Sequence, residues 1–133
     1  MPIKNSGRQT RLVAVVDLAY TDLPTGVAVD CVRLPPGAVV VGGGIKNVTA
    51  SNAATSDTLT VGNAVGATEY LSGHNGKTAN AYGLLTVPGV GKELAAGDDV
   101  TVTRTEVGVA TAGAYRLVVE YVVADRVSEV QQG

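Results

Sequence analysis

The richest group of potentially chemical residues is the run Val39-Val40-Val41-Gly42-Gly43-Gly44-Ile45-Lys46-Asn47, valines leading into three glycines and a lysine. Glycines let backbone N–H groups close on a phosphate, a lysine neutralises its outer oxygens, and a helix N-terminus completes the cradle. Here Ile45 separates the last glycine from Lys46. Asn47 stands where a P-loop needs a hydroxyl, and also where the dinucleotide pattern needs its third glycine. The segment that follows, VTASNAATSDTLTV, is rich in Thr, Ser, Asn and Val and carries no helical stripe. A second near match, PGVGKEL at 88–94, places Glu93 at the hydroxyl position and Thr86 at the first glycine position. These departures argue against nucleotide binding. They predict instead that Gly42 to Gly44 mark a bulge or bend in a long strand, or a close approach of another backbone.

The remaining reactive residues do not assemble a catalytic set. His74 is the single histidine, within SGHNGK, which reads as a loop tip. A metal site of the cupin type needs several histidines, and a Ser-His-Asp triad would have to use this one. Cys31 is the single cysteine, so no disulfide forms within the chain; its setting, VAVDCVRL, reads as a strand with a small buried hydrophobe, the alternative being a disulfide to a partner subunit. Asp98 and Asp99 fit a turn at the mouth of a strand, with a weak cation site shared with Asp57 as the other reading. Asn47-Val48-Thr49 matches a glycosylation acceptor, without a secretion signal to make it meaningful. The expectation is therefore a protein that is not an enzyme, with no catalytic, cofactor-binding or metal residues.

Composition narrows the class further. A chain of 133 residues fits one domain with one core. Hydrophobic residues make up 45% but aromatics only 4%, all five of them Tyr, so the core must be built from Val, Leu, Ala and Ile, a set that favours strands. A formal charge of −2 and a pI near 5.2 do not provide the basic footprint of a nucleic-acid binder. No apolar run approaches the roughly 20 residues that span a bilayer. The polar start MPIKNSGRQTR is not a secretion signal, which points to synthesis and assembly in a cytoplasm.

Eight segments alternate or are rich in β-branched residues: 11–20, 27–34, 38–49, 57–62, 67–72, 81–87, 99–105 and 114–124. The gaps between them carry turn chemistry, including TDLPTG, PPG, SGHNGKTAN and GVATAG. Short strands at this rhythm predict an all-β fold, an antiparallel β-sandwich or jelly roll of about eight strands. No long amphipathic helix is expected; GKELAAGDD could make one short turn. In 114–124, Tyr115, Leu117, Val119, Tyr121 and Val123 share one side; in 99–105, Val100 and Val102 oppose a threonine-rich face. Segments 11–20 and 38–41 are apolar on both sides, as in central strands or a subunit interface. The expected layout is a polar arm at 1–10, one sandwich domain at 11–124 and a polar tail at 125–133.

The strand-and-turn rhythm, the segment LPPGAVVVGGGIKNVTASNAATSDTLTVGNA and the ending TAGAYRLVVEYVVADR resemble the jelly-roll capsid decoration, or cement, proteins of short-tailed bacteriophages, such as the Bordetella phage cement protein. The similarity spans roughly residues 10–125 and rests on style, with no motif that carries residues over position by position. It implies a structural virion protein on the exterior of an icosahedral capsid. Its partners would be the major capsid protein and a second copy in a homodimer, with no nucleic acid, membrane or cofactor. On that view the two-sided apolar strands form the dimer contact, and the arm with Lys4, Arg8 and Arg11, together with Tyr70 and Tyr82 beside the 73–80 loop, meets the capsid. The alternative is a carbohydrate- or receptor-binding sandwich that stacks sugars on Tyr70 or Tyr82.

Overall fold

The computed structural model describes residues 10–86 and 89–123. Nine strands follow one another: β1 (Leu12–Ala19), β2 (Ala28–Leu34), β3 (Ala38–Thr49), β4 (Ser56–Gly62), β5 (Leu71–Asn75), β6 (Tyr82–Leu84), β7 (Glu93–Leu94), β8 (Asp98–Val107) and β9 (Ala114–Val123). One sheet runs β1-β9-β3-β6, with the two-residue β7 also on β3; the other runs β2-β8-β4-β5. All the strand pairings are antiparallel. Leaving β7 aside, the chain moves between sheets at almost every connection, the eight-stranded order of a jelly roll. The predicted all-β sandwich is what forms.

Alternation explains the core. From β9, Tyr115, Leu117 and Val119 point inward and are 1% exposed or less; they meet Val100 and Val102 of β8, Leu59 and Val61 of β4, and Ile45 of β3. Threonines 101, 103 and 105 take the opposite side of β8. With no Phe or Trp in the chain, branched aliphatics supply nearly all the apolar area, and two tyrosines, Tyr70 and Tyr115, fill the largest gaps.

The glycine run is a bent strand. Val40 pairs with Tyr121 and Gly42 with Glu120, leaving Val41 as the extra residue of a β-bulge. Gly43 has φ of +117°, and a Cβ there would stand 2.1 Å from the Val118 carbonyl oxygen. Both alternatives predicted for this run, a bulge and a close backbone approach, occur together.

Three expectations shift. The strand expected at 67–72 lies at Leu71–Asn75, because Gly66 to Tyr70 turn on Gly66 backbone hydrogen bonds instead. His74 is thus in a strand, not at a loop tip. Residues 93–94 pair with β3 as β7 rather than forming a helical turn. A short 3-10 turn at Tyr20–Asp22, closed by the Asp22 carboxylate accepting from Ala19 N–H at 2.9 Å, follows β1 without a sequence signal that singled it out. The 1–10 arm, except Thr10, and the 125–133 tail lie outside the described residues.

Gly43→Ala must place a side chain on the Val118 carbonyl at a positive φ. It is expected to lower stability by about 3 kcal/mol in urea unfolding; a loss below about 1 kcal/mol would show that the bulge can move.

Candidate functional site

Two buried polar clusters fix how the sheets sit on each other. On β8, the inward side Val100–Val102 continues to Arg104, which is 2% exposed. Its Nε donates to both Asp57 carboxylate oxygens, at 3.0 and 2.9 Å. One terminal nitrogen donates to the Leu23 carbonyl at 3.1 Å and the other to Glu106. Tyr115, from the opposite sheet, donates its hydroxyl to Asp57 at 3.3 Å. Burial opposes the Arg104 charge, but Asp57, with Glu106, outweighs it and holds the guanidinium charged. Asp57 therefore serves as a counter-ion. It sits near one end of β8, opposite Glu106, whereas Asp98 sits at the other end, opposite Leu34. At about 3.3 Å per residue the intervening strand separates them by roughly 27 Å, so the cation site sharing these residues does not exist.

The second cluster joins β3 to β5. Asn47, fully buried, donates its amide to the carbonyls of Asn75 (2.8 Å) and Thr78 (2.7 Å). Its carbonyl oxygen is thereby left to accept, and His74 Nε2 lies 2.8 Å from it. The histidine therefore carries its proton on Nε2, with Nδ1 against Gly83, where a Cβ would come within 2.8 Å. Burial lowers the His74 pKa and keeps the ring neutral. Asn47 is the glycosylation-pattern residue, and its engaged amide rules out modification in the folded chain.

What remains exposed and unusual is the outer face of the five-stranded sheet. Register places Val15 beside Val118, Val118 beside Gly44 and Gly44 beside Leu84, one apolar row across four strands. Val15 is 57% and Leu84 62% exposed. The Tyr82 ring lies on Gly44, whose missing Cβ would be 2.6 Å from it; a ring laid on a glycine in this way pins the pairing of β6 with β3. On one side of the row runs Asp17, Arg116 and Lys46, with Arg116 Nε donating to Asp17 at 2.7 Å. On the other side lie Val13, Glu120 and Gly42, with Arg11 donating to Glu120 at 3.1 Å. The opposite outer face, on β8, is threonine-rich and has no such row.

Arg11 and Tyr82, singled out from sequence, share this face at its two margins. Tyr70 does not: it is 1% exposed and packs in the core, because the turn before β5 folds it inward beneath Gly89. It cannot meet a capsid or stack a sugar, and the carbohydrate reading loses one of its two platforms. Lys4 and Arg8 lie outside the described residues. Cys31, on the bulge of β2, is half-buried rather than fully so; burial pushes its thiol up to about 11, the opposite of a nucleophile. The residue that sequence reasoning missed is Arg104. Its signal was the same alternation that placed Val100 and Val102 inside.

No family model and no curated protein matches the sequence. Solved structures do. A chain from the capsid asymmetric unit of cyanophage Pam1 superposes with a TM-score of 0.73 at 24% identity, covering 91% of this chain and 92% of that one. The fold is shared with chains from phage capsids. A chain from the capsid of Ralstonia phage GP4 matches at 0.69 and 17% identity over 94% and 91%, and one from the acid-stable capsid of Helicobacter pylori bacteriophage KHP30 at 0.68 and 15% over 85% and 87%. Coverage this even means that the matched chains are about as long as this one.

Two measurements check the clusters. Asp57→Ala leaves the buried Arg104 with only the partly exposed Glu106 as counter-ion and should cost about 3 kcal/mol in urea unfolding, whereas Asp57→Leu with Arg104→Met, which removes both partners, should cost less than the sum of the two single changes. For His74 the folded pKa lies below the ordinary value of 6.5, so the unfolded chain takes the proton first. Its contribution is complete above that value and declines as pH falls below it. The melting temperature of His74→Gln should accordingly fall less than that of the wild type between pH 7 and 5, and parallel curves would exclude His74 as the titrating group.

Proposed function

We propose that this protein is a structural component of a phage particle: a homodimer that binds the outer surface of an icosahedral shell, contacts the major capsid protein and cements neighbouring capsomers. The observation that carries this reading is the end-to-end fold match with chains of similar length from three phage capsids. The chemistry of the described residues fits such a role. The reactive side chains with partners are spent on holding two sheets together, and the face left over is built for docking. A rigid sandwich present in many symmetric copies converts modest contacts into strong attachment, and binding only the mature shell stabilises it by mass action.

The capsid contact is assigned to the N-terminal arm, residues 1–10 with Lys4 and Arg8, leading to Arg11 at the start of β1. The arm would enter the domain at an edge strand, since β1 is the outermost strand of its sheet. Purified protein should co-sediment with mature shells of its parent phage stripped of it, saturably and in a fixed ratio, and should raise their resistance to heat. Deleting residues 1–10 should weaken that binding at least about tenfold while leaving the melting temperature unchanged. Absence of binding by the full chain overturns the reading; undiminished binding by the shortened chain overturns the role of the arm.

A further inference from the structure

We infer that the outer face of the five-stranded sheet is the surface on which two copies of this chain meet, packed face to face about a two-fold axis that runs along the row Val15–Val118–Gly44–Leu84. This deepens the homodimer reading above by assigning its surface and its symmetry. A C2 interface must be complementary to itself, and the charges flanking the row meet that requirement for one axis only.

Rotation about an axis lying along the row keeps each strand over its own copy and exchanges the two flanking rows. Arg116 then faces Glu120 of the second copy, and Asp17 faces the margin where the second copy's Arg11 reaches Glu120. Each acid meets a base: the Arg116–Asp17 pair of one chain faces the Glu120–Arg11 pair of the other, giving two four-charge clusters, one on each side of the axis. On the axis, Val15 meets Val15 and Val118 meets Val118. An in-plane axis parallel to the strands, set between β9 and β3, would place Arg116 against Lys46 of the second copy, a like-charge contact that the Asp17 already paired with Arg116 offsets only in part. Side-chain geometry supports close approach as well: the triple-glycine segment and the ring of Tyr82 lying flat on Gly44 keep the middle of the face low.

The size of the face sets the expected strength. Four strands about 4.8 Å apart and three outward rows about 6.7 Å apart give roughly 400 Å² per copy, or roughly 800 Å² in all, the size of a weak, transient association. A dimer in the micromolar range is expected, which the shell's symmetry then reinforces.

The test is sedimentation equilibrium of the full chain from about 1 to 100 μM, with circular dichroism and melting as controls for folding. Wild type should dimerise. Val118→Glu sets two carboxylates against each other on the axis and should raise the dimer dissociation constant about a hundredfold or more; Val15→Glu, at a position 57% exposed, should do the same and is the variant whose fold is least at risk, Val118 being half-buried. Arg116→Glu separates the two axes. It should weaken the dimer through the facing Glu120, whereas with Arg116 over Lys46 it would strengthen it. A monomeric wild type, a dimer unaffected by both valine variants, or a dimer tightened by Arg116→Glu overturns the proposal. Shell binding by a wild type that is monomeric at 100 μM would sink this interface and leave the capsid reading standing; a dimer of this kind that ignores stripped shells would do the reverse.

Discussion

The Arg104–Asp57 pair is the constraint from which the rest of the architecture follows. A guanidinium 2% exposed must have its charge and its donors met inside the protein. Asp57 supplies the charge and takes the Nε donor, Glu106 takes one terminal nitrogen, and the carbonyls of Tyr20 and Leu23 accept from the other. Satisfying that list forces four separate segments to one point. The 3-10 turn after β1 must cross from one sheet toward the other, β4 must lie beside β8, and Tyr115 must reach over from β9 to its hydrogen bond with Asp57. Aliphatic packing alone tolerates sliding between sheets, since one valine fits much as another does. A directional ion pair with five donors does not, and in a core this poor in aromatics it supplies a fixed reference that shape cannot.

The Asn47–His74 contact does the same work beside it: Asn47 is the register partner of Tyr115, and Gly76, next after Asn75, donates its N–H to the Asp57 carbonyl at 2.7 Å. The Asn47 amide is held by two backbone carbonyls, and its oxygen holds the Nε2 of the His74 ring, so these groups are committed to one another and to the backbone. Polar side chains that in an enzyme would face a cleft here face one another across the sheet-to-sheet gap.

Much of this was legible in the chain. Period-two alternation in 99–105 and 114–124 marked the inward residues correctly, and turn chemistry separated the strands. The glycine run was identifiable as a bend because the residues after it lack helical character. Legibility failed where tertiary pairing overrode local pattern. His74, flanked by glycine and asparagine, has the surroundings of a loop, yet its pairing with Leu59 and its bond to Asn47 draw it into a strand. Tyr70 looked available because nothing near it in sequence announces the pocket that holds it. The apolar character of 11–20 was plain, but its meaning needed the register, since only the neighbouring strands reveal that Val15 and Val118 continue one row. That the fold is shared with chains found in phage capsids was foreseen in kind; the role proposed above rests on that fold match, and the surface serves only to assign how copies meet.

The position of β9 has a consequence for how the molecule comes into being. The last strand of the described residues, β9, lies between the first and the third, bonded to β1 over the whole of Leu12–Ala19 and to β3 from Ala38 to Thr49. Until it docks, β1 has no partner in its sheet and the apolar row has no middle. The outer face therefore forms only once β9 has closed between β1 and β3, and a chain that lacks β9 cannot present it however well its other strands pair.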